Sequence, residues 1–195
     1  AILSNMLDID IWEVVEAAKT KPFGFQSFRP GPGVGGHCIP IDPKYLSFKT
    51  RQIGQPVRFV ELAQEINNSM PNYVVARISE LMNKKEILLK NSKILILGVA
   101  YKKDISDTRE SPAIDIMESL LKKSVELSFY DPHVDELAFN KNSISKEENL
   151  ENLSSYDLIL IHTPHSEFHE INFESVTSLI FDSTGSFEIS DAERI

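Results

Sequence analysis

The sequence predicts an α/β fold in which a helical region precedes a domain built on a parallel sheet. Three observations carry that prediction: apolar residues at helical spacing before residue 90, short apolar runs alternating with helical patterns after it, and a glycine- and proline-rich loop between two helical stretches. With 195 residues, 42% hydrophobic and 25% charged, the chain has the composition of a globular protein and is long enough to bury a core.

The first residues, Ala1-Ile-Leu-Ser-Asn-Met-Leu7, carry helical spacing with no capping residue ahead of them. The sequence is therefore expected to start inside a helix, as a piece of a longer protein. Ile9, Ile11, Trp12, Val14, Val15, Ala17 and Ala18 continue as a half-buried helix. From Pro30 through Pro43 stand four glycines and four prolines, a density that excludes a regular element. Between Val57 and Leu89 the residues Phe59, Val60, Leu62, Ala63 and Ile66, then Val74, Val75, Ile78, Leu81 and Met82, keep a helical period. Within it, Pro71 either kinks one long helix or starts a second one capped by Asn68 or Ser69.

After Asn91 the texture changes. Lys93–Gly98, Glu126–Asp131, Asp157–His162 and the weaker Leu179–Asp182 are short apolar runs, and Ser111–Leu121 reads as a helix with proline in its first turn. The segment between Asp131 and Asp157 is polar and only partly helical. Strands alternating with helices imply a parallel sheet covered on both faces with right-handed crossovers. Residues 1–90 are thus read as a helical domain and 91–195 as a Rossmann-like domain, without internal repeats.

Several classes are excluded. No run of roughly 18 apolar residues is present, nor a basic segment leading into an apolar stretch and cleavage site, so a membrane role is not expected. A lone cysteine forms no internal disulfide and fits a cytoplasmic setting. A net charge of −9 argues against a nonspecific nucleic-acid binder.

The chemistry concentrates at Cys38. Glycines 31, 33, 35 and 36 let the backbone approach a ligand and hold His37 and Cys38 in a conformation bulkier residues resist. A lone cysteine is commonly a small buried hydrophobe, but such a loop offers little packing reason for a thiol. A metal site is a poor alternative, since His37 and Cys38 are adjacent and no second cysteine stands at ligand spacing. A cysteine acyl-transfer enzyme needs a histidine partner that no local signature names among the five present. Gly98 is not followed by the glycine spacing of a dinucleotide site, which leaves Asp131 as a strand-to-turn residue. His133, His162, His165 and His169 match no zinc spacing and read as packing or surface residues.

Phe28-Arg-Pro-Gly-Pro-Gly-Val-Gly-Gly-His-Cys-Ile-Pro-Ile-Asp-Pro-Lys-Tyr-Leu46 and Gly98-Val-Ala-Tyr-Lys-Lys-Asp-Ile-Ser-Asp-Thr-Arg-Glu-Ser-Pro112 closely resemble the nucleotide-sugar 6-dehydrogenases, the UDP-glucose/GDP-mannose dehydrogenase family. The similarity extends over Pro22–Phe25 and Arg58–Asn67 to essentially the whole chain. Ile41, where UDP-glucose dehydrogenases more often have lysine, looks more like the branch acting on UDP-N-acetylhexosamines such as UDP-N-acetylmannosamine. UDP-glucose and GDP-mannose are the alternative substrates.

The resemblance implies NAD-dependent oxidation of the sugar C6 hydroxyl to a carboxylate through a cysteine adduct, for surface polysaccharide precursors. Cys38 is then the nucleophile, and Asp42 positions or activates water, although an aspartate before Pro43 can equally form a turn. Arg29, Pro30, Gly31, Pro32, Gly33, Val34 and Gly35 match the loop that wraps the nucleotide sugar, and Tyr101 and Lys102 match a substrate-contacting pair. Arg109 matches a residue that reaches the NAD site, or it pairs on the surface with Asp107 or Glu110. The helical region implies a homodimer or larger homo-oligomer, and the sheet domain a UDP site.

Three features of the family are missing: the NAD-binding domain, a lysine and an asparagine in the helix ahead of the start, and an arginine near Phe181-Asp-Ser-Thr-Gly185. The chain alone is expected not to turn over. Two further readings stay open, a stand-alone nucleotide-binding or dimerisation module with an incidental cysteine and an acyl-transfer enzyme.

Overall fold

The structure, a computed structural model, describes residues 1–137 and 144–195. Its helices are α1 (Ile2–Met6), α2 (Ile11–Lys19), α3 (Cys38–Gln52), α4 (Arg58–Lys84) and α5 (Pro112–Leu121). Its strands are β1 (Lys93–Leu97), β2 (Glu126–Tyr130), β3 (Ile144–Lys146), β4 (Leu158–Ile161), β5 (Leu179–Asp182) and β6 (Glu193–Arg194). They form one sheet in the order β3-β2-β1-β4-β5-β6, with every pairing parallel.

One expectation is corrected and one alternative is decided. The density of glycine and proline does not exclude a regular element, because α3 begins inside that segment at Cys38. Pro40 falls in the first turn, where an N–H has no intrahelical acceptor, and Pro43 gives up only one bond near the helix start. Pro71 starts no second helix, since α4 runs unbroken through it. Within the polar stretch, β3 was not foreseen, and residues 138–143 of that stretch lie outside the described residues. The two-residue β6, too short to leave a pattern, was also unforeseen.

Period-two alternation explains why the central strands are apolar throughout. Ile94 and Ile96 of β1 and Leu158 and Leu160 of β4 join one core cluster, with Val74, Ile78 and Met82 of α4 and Ile116, Met117 and Leu120 of α5. Leu95, Leu97, Ile159 and Ile161 point the other way, where Phe168, Phe173 and Phe187 cover them. The sheet is covered on both faces as expected, although Phe168 and Phe173 on that second face sit in short 3-10 turns. Only the second half of α4 belongs to this core. In its first half Phe59 is 90% exposed and Leu62 and Ile66 are about half exposed.

Buried Arg77 of α4 pairs with Glu80 at 2.7 Å and with Glu193 of β6, which ties the helix to the sheet edge. At the opposite end of the chain Asp10 caps α2 by accepting from the Trp12 N–H at 2.7 Å. The strand order reverses between β1 and β4, so the loops after these two strands flank the crevice where open parallel sheets bind ligands.

Candidate functional site at the Cys38 loop

Cys38 is the first residue of α3 and is exposed. Asp42 follows one helical turn later and is also exposed, so thiol and carboxylate share a face of the helix. Among the described residues no histidine hydrogen-bonds the thiol, and four of the five histidines have partners elsewhere. His133 faces Glu167 at 3.2 Å, His162 and Thr163 lie within hydrogen-bonding distance at 2.9 Å, His165 contacts Asp131 at 3.0 Å, and His169 stacks on Phe187 at 4.9 Å.

Three of the four glycines ahead of Cys38 have a structural reason to be glycine, whereas a Cβ on Gly31 would meet nothing within 4 Å. A Cβ on Gly35 would stand 2.6 Å from Tyr101 Cβ and 2.7 Å from the Glu110 carbonyl, and one on Gly36 would stand 2.7 Å from the Tyr101 ring. Gly33 faces Pro112 at 2.9 Å in the same way and has φ of +141°. The Gly36 N–H donates to the Arg109 carbonyl at 3.0 Å. These close approaches are to protein rather than to a ligand. They press the Cys38 loop onto the segment Tyr101–Pro112 and so join the two motifs of the sequence.

The remaining site candidates fall in two places. Lys102 is exposed beside half-buried Tyr101, on the loop that leaves β1. Arg109, 69% exposed in its side chain, is paired with Asp107 at 2.6 Å, and its own N–H donates to the same carboxylate. The hydrogen bonds from Arg109 hold Asp107 down at about 2. Arg29 stands apart from this group. Its guanidinium lies 5.6 Å over Trp12, pairs with Glu16 at 3.2 Å and donates to the Gly185 carbonyl at 3.4 Å. Between these places run half-buried Pro30 and Gly31, buried Pro32 and exposed Val34. The loop after β5, which lacks an arginine of its own, thus receives one from residue 29. Nothing in the residue pattern signals that approach.

The acids at the strand ends do more than turn the chain. Asp131 does form a turn, accepting from the His133 N–H at 2.9 Å, but it accepts in addition from Val99, Ala100 and His165. Burial alone would raise this carboxyl, yet the hydrogen bonds from His165, Val99, His133 and Ala100 outweigh it and hold it below the usual range. Asp182 organises the loop after β5, accepting from the N–H groups of Thr184, Gly185 and Phe187 at 2.9 to 3.0 Å. His162 is buried and driven down to about 4, chiefly by desolvation.

The fit to a dinucleotide is poor on this sheet. The N–H groups of Val99 and Ala100, placed where a phosphate is cradled in a Rossmann site, are used by Asp131. A Cβ on Gly98 would stand 2.2 Å from the Thr163 carbonyl, so that turn is filled by protein. Among the described residues no helix is long and apolar enough to cross a membrane.

Comparisons with known proteins place two stretches of the chain in one family. Residues 1–69 match the central domain of the UDP-glucose/GDP-mannose dehydrogenase family, and residues 95–189 match its UDP binding domain. The chain is 35% identical over 179 residues to a UDP-N-acetyl-D-mannosamine dehydrogenase of Methanococcus aeolicus, covering 92% of this chain and 38% of that protein. It is 36% identical over 177 residues to a UDP-N-acetyl-D-glucosamine 6-dehydrogenase of Salmonella typhi, covering 90% and 41%. A solved UDP-D-ManNAc dehydrogenase from Pyrococcus horikoshii superposes with a TM-score of 0.84 at 28% identity, covering all of this chain and 46% of that one. The chain therefore spans about two fifths of the length of these curated relatives. With both of its signature loops packed on one another and matches over both regions, this chain belongs to the UDP-glucose/GDP-mannose dehydrogenase family.

Proposed function

We propose that this chain is the catalytic-cysteine and UDP-sugar-binding portion of an NAD-dependent nucleotide-sugar 6-dehydrogenase that acts on a UDP-N-acetylhexosamine, with UDP-N-acetylmannosamine as the preferred substrate. The observation that carries the proposal is the placement of Cys38: exposed, at the first residue of α3, with Asp42 one turn on and Tyr101 under the glycines before it. The names of the relatives at 35% and 36% identity support the substrate class.

The oxidation takes the C6 alcohol to a carboxylate, and NAD, when bound, would supply the hydride acceptor. Its cradle is not among the residues of this sheet, and Arg109 is assigned only to contact it. The chain's own groups do the rest. The Cys38 thiolate adds to the C6 aldehyde, forming a sulfur–carbon bond and an adduct from which a hydride can leave. The resulting thioester is opened by water that Asp42 orients, which frees the thiol and the uronic acid. The free N–H groups in the first turn of α3 carry partial positive charge and suit the oxyanion of the adduct, Pro40 contributing none. Arg29, Pro30, Gly31, Pro32, Gly33, Val34, Gly35, Tyr101 and Lys102 are assigned to the nucleotide sugar. A homodimer is supported by the exposed apolar residues on α3 and the first half of α4, among them Tyr45, Leu46, Phe48 and Phe59.

The test uses the full-length protein with NAD and a panel of UDP-N-acetylmannosamine, UDP-N-acetylglucosamine, UDP-glucose and GDP-mannose. The first is expected to turn over fastest, and Cys38→Ala to lower the rate by at least about a thousandfold. Rates independent of the cysteine overturn the mechanism, and a preference for UDP-glucose or GDP-mannose overturns the substrate class.

A further inference from the structure

Within the loop that leaves β1, the stretch Val99–Asp104 is fastened at both of its ends by groups that follow β2 and β4. At its start the N–H groups of Val99 and Ala100 donate to Asp131 Oδ2 at 2.7 and 3.1 Å, and the Ala100 carbonyl accepts from the Thr163 hydroxyl at 2.6 Å. At its far end the Asp104 N–H donates to His165 Nδ1 at 2.9 Å, and the Asp104 carboxylate accepts from the Ser166 N–H and hydroxyl, each at 2.7 Å. Since a backbone N–H can only donate, His165 Nδ1 is the acceptor and the ring proton sits on Nε2. That proton is donated to Asp131 Oδ2 at 3.0 Å, the oxygen that holds the start of the loop. One imidazole therefore bridges the two ends, and Tyr101 and Lys102 stand between them.

His165 and Asp131 have no exposed surface. A buried polar pair of this kind is a weak source of stability, because apolar residues of similar size can fill the space as well. What such a pair does supply is a single geometry for the backbone it binds. The same cluster does not read as a metal centre. Asp104, His133, His165 and Glu167 bring their ligand atoms within 4.8 Å of one another, but both ring nitrogens of His165 are already committed.

We propose that His165, oriented by Asp131, is a positioning residue that sets where Tyr101 and Lys102 meet the nucleotide. The proposal rests on the reading of Tyr101 and Lys102 as substrate contacts, and the experiment separates the two.

Binding of UDP to the full-length protein is measured by calorimetry for wild type, Lys102→Ala, His165→Phe, His165→Asn and His165→Gln, together with KM for the UDP-sugar and for NAD. His165→Phe keeps the ring volume and the edge contact with Phe168 but loses both hydrogen bonds. It is expected to weaken UDP binding roughly tenfold and to raise KM for the UDP-sugar by the same factor, with KM for NAD unchanged. Asparagine, whose amide oxygen can replace Nδ1 as the acceptor for Asp104, is expected to retain more affinity than glutamine. A general structural defect would move both KM values and would not rank the two amides. Wild-type UDP affinity in His165→Phe, with affinity lost in Lys102→Ala, overturns the positioning role alone. Unchanged affinity in Lys102→Ala overturns the reading of the pair and the proposal with it. If His165→Phe does not fold, equal UDP affinity of the Asn and Gln variants overturns the proposal.

Discussion

One methyl group is enough to lift the Cys38 loop off its support. At Gly35 the added carbon meets the Glu110 carbonyl at 2.7 Å, and backbone cannot swing aside as a side chain can. Gly35→Ala is expected to cost about 1–3 kcal/mol of stability and to weaken UDP-sugar binding, checked by denaturant unfolding and calorimetry. Arg109 should behave in the opposite manner. Its pair with Asp107 is exposed, and surface pairs contribute little, so Arg109→Ala should leave the melting temperature nearly unchanged. A raised KM for NAD in that variant would support its assignment to the cofactor, and an unaltered KM would remove it. At this scale the sequence singled out Cys38 because its glycine-rich surroundings are contiguous. It was a poor guide to Asp131 and His165, whose partners, the local His133 N–H apart, lie 31 to 61 residues away in the chain.

Helix boundaries follow from caps where side chains supply them. Ser111 accepts from the Ala113 N–H and stands before Pro112 at the first position of α5, and that proline made the helix start readable from the pattern. Ser111→Ala is expected to cost about 1 kcal/mol, read from the shift of a urea midpoint at constant slope. Helix α3 was not readable, because its prolines fall where a helix tolerates them and His37 makes no side-chain cap bond. Strands β3 and β6 escaped for a different reason. Runs of two or three residues, half buried or exposed, leave no period to detect. The four central strands were legible since parallel strands buried on both faces read as continuous apolar runs.

For the molecule as a whole, buried titrating groups set the response to acid. His162 titrates near 4 in the fold and near 6.5 when unfolded, so between these values the unfolded chain binds the extra proton. Stability is therefore present above pH 6.5 and lost as pH falls through that window, by about 3 kcal/mol. Asp131, depressed by its hydrogen bonds, adds a second loss at lower pH as it protonates. Thermal melts of wild type and His162→Leu at pH 7 and pH 5 check the first effect, which a pH-independent difference between the two would refute. The exposed apolar face predicts self-association. Phe59→Glu should shift sedimentation toward a smaller species, and an unchanged species would place the interface elsewhere.

Local pattern and contiguous motifs determined the α/β class, the central strands, the helix α5 and the identity of the cysteine loop. Each of these depends on residues close in sequence, where period, propensity and turn chemistry act. Tertiary structure alone decided that the glycines face Tyr101 and Pro112, that Arg29 reaches the loop after β5, and that one buried imidazole closes the loop carrying Lys102. These are contacts between distant segments, and they arise only once the sheet has brought the carboxyl ends of β1, β2 and β4 side by side.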